Sequence, residues 1–170
     1  MPIRTRIALG AMAALTAAGA AVGAAAGGAQ ARAHAPGPLT YTLQPIALRF
    51  FGNSGPITGF PTGPLVPGDR IIGQGRILQG GVTAGRDNEA CTVSLARDVL
   101  CQDIAIFTGR GDVQASWSFR WPATGTQGPA SFDGIIDGGT GWFRAAHGSF
   151  HAHALPGGDL RITAAISTNG

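Results

Sequence analysis

Beyond residue 38 the chain sustains no helical period, and this most limits what it can fold into. Short alternating or β-branched runs follow one another, separated by glycine- and proline-rich gaps. Eight runs are legible: 39–51, 70–79, 89–95, 99–107, 111–121, 131–137, 141–154 and 159–167. Most gaps are of hairpin length ("TGR", "GGT", "PGG"), so sequence neighbours are expected to pair antiparallel. Eight such strands form a sandwich or close on themselves. Without the long crossovers of a Greek key, the reading is all-β, a closed eight-stranded antiparallel up-and-down barrel of lipocalin-like proportions. Such a barrel is just wide enough to be filled by side chains or to hold one small ligand.

The residues before the first run have a different grammar. "MPIRTR" is a positively charged start, "IALGAMAALTAAGAAVGAAAGGA" a weakly apolar core, and "ARA" a small-x-small cleavage site. The expectation is a signal peptide over 1–33, a short linker over 34–38 and one barrel domain over 39–168. A retained membrane anchor is the alternative, since the length approaches a span. Cleavage would remove Arg4, Arg6 and Arg32 and leave nine arginines facing nine carboxylates, with no lysine anywhere. The basic balance thus belongs to the leader, and no basic face calls for nucleic acid or an anionic membrane. Export also makes a disulfide between Cys91 and Cys101 the expected state, with two buried thiols as the alternative. If the two cysteines oppose each other in a hairpin, paired numbers sum to 192 and Val93 faces Val99. Closing so short a ring stabilises a fold by roughly 3 kcal/mol in the chain-entropy model.

Alternation sorts the run 111–121 into two faces. Val113, Ala115, Trp117, Phe119 and Trp121 share one, and Asp112, Gln114, Ser116, Ser118 and Arg120 share the other. With the aromatic face inward, Trp117, Phe119 and Trp121 form a stacking wall for a ligand; core filling and a subunit interface are the alternatives. His147, His151 and His153 share a face too, as a polar outer surface, a cavity acid/base group or part of a metal site whose third ligand no spacing supplies. Asp133 and His147 flank the glycine turn and would face each other in a hairpin whose numbers sum to 280. Inside a barrel they could act as a catalytic acid/base pair. The chain has no nucleophile elbow, no phosphate-binding glycine loop opening a helix and no metalloprotease helix, so no cofactor is expected.

Four stretches, "PGDRIIGQGRIL", "GRDNEACTVSL", "LCQDIAIFTGRGDVQASW" and "IIDGGTGWFRAAHGSFHAHA", resemble the allene oxide cyclase/dirigent superfamily of eight-stranded barrels, in family order. The likeness is strongest to its exported bacterial members and runs from Gly68 to Ser167. The last stretch is similar to the family signature of an apolar pair, Gly-Gly-Thr-Gly, any residue, Tyr or Phe, then Ala-Arg-Gly. The resemblance implies that the glycines turn the chain between two strands, that Phe143 plugs the barrel and that Gly148 permits close packing. It also places Asp133 at an acidic position frequent in the family, while His147 stands where the family has arginine. The implied function is a secreted barrel that binds an apolar or aromatic small molecule. It would steer stereoselective cyclisation or coupling, an isomerase-like or dirigent-type activity. A non-catalytic carrier and a structural barrel are the alternatives. The expected partners are that small molecule and further copies of the chain.

Overall fold

Runs that alternate apolar and polar residues become strands because each buries one face and leaves the other in water. The computed structural model describes residues 37–59, 61, 63–121 and 128–168; the expected leader over 1–33 lies outside the described residues. The strands are β1 (Leu39–Gly52), β2 (Gly55–Ile57), β3 (Arg70–Gln79), β4 (Val82–Val93), β5 (Asp98–Phe107), β6 (Gly111–Arg120), β7 (Ser131–Gly139), β8 (Ala146–Ala154) and β9 (Leu160–Thr168), with one 3-10 turn at Gly141–Phe143. From β3 to β9 each strand pairs antiparallel with the next. β1 lies between β3 and β9, and its pairing with β9, from Leu39↔Ala164 to Leu43↔Leu160, closes an eight-stranded barrel. The short β2 folds back on β1 outside that ring.

Odd-numbered residues point inward from β3 to β6, and even-numbered ones from β7 to β9. The interior holds two apolar clusters. One, around Ile77, Phe107, Phe143 and Phe150, fills the end where the 3-10 turn sits. The other, around Phe50, Leu65, Val99 and the disulfide, packs the opposite end. Phe143 is buried with its ring centroid 5.4 Å from that of Phe107, so it does close its end of the barrel.

Three sequence expectations need correction. The strand expected at 89–95 begins at Val82, because Gly80 and Gly81 both adopt positive φ and make a two-residue hairpin turn. The run 141–154 is not one strand: the 3-10 turn and Ala145, at φ +55, precede β8. As a result the β7–β8 connection is longer than "GGT", and the hairpin numbers sum to 284 rather than 280. Asp133 therefore pairs with His151, and His147 pairs with Ser167 of β9.

The β4–β5 hairpin follows the cysteine register, with Cys91 opposite Cys101 and Val93 opposite Val99. The disulfide is formed, with Cα atoms 4.0 Å apart. In its turn, Arg97 N donates to Ser94 O and Arg97 sits at φ +64, a left-handed position glycine would occupy without steric cost. Arg97→Gly is expected to raise stability by roughly 0.5 to 1 kcal/mol once glycine's larger unfolded-state entropy is subtracted. Thermal unfolding measures this, and a lower melting temperature would contradict it. Among the described residues no helix is long and apolar enough to cross a membrane.

Candidate functional site

β1 pairs with β9 only as far as Leu43, and a bulge between Pro45 and Ala47 then bends it away. Proline has no N–H to give a ladder, and bulges are where strands tolerate it. β6 and β7 also part company, since their pairing stops at Trp117↔Gly134 although β6 runs on to Arg120. The barrel is therefore loosest at the end opposite Phe143. There it holds a cavity of about 570 Å³, bordered by Phe50, Glu89, Trp117, Phe119, Trp121 and Phe132.

The aromatic face of β6 thus points inward. Trp117 stacks on Phe132 with centroids 4.0 Å apart and planes 18° from parallel, and on Phe119 at 5.4 Å and 17°. Trp121 is tilted against Phe119 at 5.8 Å and meets Phe50 edge-on. These rings line the cavity together. A Cβ on Gly73 would come within 3.0 Å of Glu89 Oε2, so the Glu89 side chain lies directly over the backbone of β3.

Behind Glu89 the interior carries two further carboxyls. Glu89 pairs across the ladder with Asp103, and Asp87 lies one inward position further along β4. Asp87 is 3% exposed. Burial raises the Asp87 carboxyl, and a hydrogen bond from Asp103 partly opposes that rise. Burial raises Asp103 most, followed by the charge of Asp87 and the proton Asp103 donates to it. The two act as an acid and a carboxylate holding one proton between them. Each keeps a buried Oδ1 without a hydrogen-bond partner. Glu89 is pushed up to about 7, by burial first and then by the Asp87 charge. Tyr41, inward from β1, has its phenol held well above the usual range by burial and then by Asp103 and Asp87. The disulfide lies against Glu89, but its sulfurs are bonded to each other and offer no thiolate to a metal.

Of the residues expected from sequence, Trp117, Phe119 and Trp121 border the cavity together. Asp133 and His147 do not meet and both stand on the outer surface. Asp133 accepts a hydrogen bond from His151 Nδ1 at 2.8 Å, with 83% of the Asp133 side chain exposed. It edges a shallow outer depression of about 660 Å³ that it shares with Ala90, Leu100 and Ile135. His153 is also exposed, and among the described residues no third metal-ligating side chain joins the outward histidines. Glu89, Asp87, Asp103 and Tyr41 were not singled out in the sequence. The available signal was parity: Glu89 alternates with Cys91, and Asp103 with Cys101, so the disulfide's inward face was theirs as well.

No protein-family model and no curated protein matches the chain. Among solved structures it is similar to a pyocyanin demethylase at 17% identity and a TM-score of 0.59, covering 76% of this chain and 99% of that one. It is also similar to two pterocarpan synthase dirigent proteins. PsPTS1 shows 15% identity and a TM-score of 0.54, over 78% of this chain and 96% of that one. GePTS1 shows 14% identity and a TM-score of 0.53, over 78% of this chain and 85% of that one. At these identities the likeness is one of fold, a dirigent-like barrel.

Proposed function

We propose that this protein is an exported barrel that binds a planar, largely apolar small molecule against Trp117, Phe119 and Phe132, and that Glu89 moves a proton on it. The observation that carries the proposal is a carboxyl titrating near neutrality on the floor of an aromatic cavity. Such a group takes and returns protons with comparable ease at neutral pH, the condition for general acid–base catalysis. The cavity is of the size typical of ligand sites, and the walls would hold one face of the substrate in place while the proton moves. Taking a proton from one atom of the substrate and returning it to another is redox-neutral and needs no co-reactant. Isomerisation and stereoselective cyclisation fall within that chemistry. The disulfide agrees with an oxidising compartment outside the cell. The dirigent proteins and the demethylase of the same fold also lend weight to a small-molecule reading.

Tryptophan fluorescence titrated with phenolic, polyketide and fatty-acid ligands tests binding. Trp117→Ala is expected to weaken it about tenfold, given roughly 1 kcal/mol per stacked ring beyond area burial, with an unchanged far-UV spectrum. The buried Trp121 remains as reporter in that variant. Glu89→Gln is expected to bind within a few-fold of the parent and lose about a hundredfold or more in turnover. Undiminished turnover in Glu89→Gln would overturn the acid–base role.

A further inference from the structure

The barrel interior is charged on one side of the ledger only. Asp87, Glu89 and Asp103 point into it from β4 and β5. Eight of the nine arginines among the described residues are exposed, and the ninth, Arg110, lies over the Phe107 ring at the closed end, bonded to Gln79. All three described histidines point outward. The groups facing Glu89 are Gly73 from β3, Leu48 from β1, Asp103 from β5 and the disulfide beside it, with Asp87 next inward on its own strand. Its titratable neighbours are therefore all acids: Asp87, Asp103 and, beyond them, Tyr41. Buried carboxylates without a counter-ion are costly, and native interiors ordinarily pair them. Asp87 is almost fully buried, yet one of its oxygens has no partner.

Of these acids it is Glu89, without a counter-charge, that borders the cavity together with the stacked rings. Both features attract the same ligand, because the faces of Trp and Phe rings are electron-rich and favour a cation. Extending the small-molecule reading above, on which it rests, we infer that the barrel selects planar aromatic cations. A permanently charged planar heteroaromatic ring would lie against the Trp117–Phe132 stack, with its positive edge toward Glu89. A neutral hydrocarbon of equal shape would gain the stacking and leave the carboxylates unpaired. The preference follows ionisation of Glu89: cation affinity rises with pH up to about 7 and then levels, while affinity for a neutral isostere stays flat.

The test compares 1-methylquinolinium with 1-methylnaphthalene, which match in shape and differ in charge, by calorimetry at pH 5.5 and 8.5 on the protein without residues 1–33 and on the full chain. At pH 8.5 the cation is expected to bind at least tenfold more tightly than the hydrocarbon. At pH 5.5 that ratio is expected to fall about tenfold or more, as the Glu89 carboxylate fraction drops. Near pH 6 cation binding is expected to release protons, seen as a dependence of the heat on buffer ionisation enthalpy. Glu89→Gln should abolish the pH dependence while keeping the hydrocarbon's affinity. Should that variant misfold, the parent's two-pH comparison and proton release still decide. Equal or weaker cation binding at pH 8.5 with firm hydrocarbon binding would overturn the cation inference and leave the apolar site intact. Binding of neither probe by a folded barrel would overturn both.

Discussion

Urea unfolding is expected to show the barrel more stable near pH 5 than near pH 8, by about 2.5 kcal/mol from Glu89 alone. The sign follows from proton counts. Burial raises the folded Glu89 from 4.5 to about 7, so between those values the folded state binds more protons than the unfolded one. The stabilisation is complete below the unfolded value and is lost as pH climbs through 7. Asp87 and Asp103, both raised by burial, extend the decline to higher pH. Glu89→Gln removes its share: the variant should outlast the parent at pH 8 and match it more nearly at pH 5. A denaturation midpoint that is constant, or that rises from pH 5 to pH 8, would show that the interior carboxyls do not titrate as buried groups.

That alkaline weakness also argues about function. Three apolar residues in place of Asp87, Glu89 and Asp103 would give a more stable barrel, because buried charge without a partner opposes folding. Stability given up at one place inside a cavity is the usual mark of a working site. A bound cation would return part of it, so ligand stabilisation should be larger at pH 8 than at pH 5.

The sequence made the barrel's architecture legible because turns are local. The Cys91–Cys101 hairpin and the "TGR" turn each set a pairing from a few residues. The β7–β8 pairing was not legible for the same reason. Its register depends on the 3-10 turn that Phe143 adopts to bury its ring against Phe107, a contact across the barrel that no local pattern encodes. The four-residue difference left parity intact but exchanged the partner of Asp133 from His147 to His151. The aromatic wall was readable in part: Trp117, Phe119 and Trp121 share a strand, whereas Phe132 joins them from β7. The acid cluster was hidden because Asp87 lies in a stretch, "GGVTAGRDN", that looks like a loop. Polar residues on the inward face of a strand break the alternation by which strands are recognised.

The glycine of "AAHGSF" carries the largest single-residue effect expected outside the cavity. Gly148 has φ +150, and a Cβ there would lie 2.0 Å from the carbonyl oxygen of Ala165 on β9. That oxygen belongs to backbone locked in the β8–β9 ladder, where Gly148 pairs with Ile166, so it cannot swing aside as a side chain would. Gly148→Ala must push two strands of a closed ring apart or abandon the local pairing. Either course is expected to cost about 4 kcal/mol or more, a large part of a typical domain's stability, and to lower the melting temperature by roughly 15 °C. Gly158→Ala is the matched control. It also has positive φ, at +94, but nothing lies within 4 Å of its Cβ position. It should cost only the backbone strain, about 1 to 2 kcal/mol. If the two variants melt together, strain alone limits both sites. If Gly148→Ala alone loses the cooperative transition, the close approach of β9 is what requires glycine there.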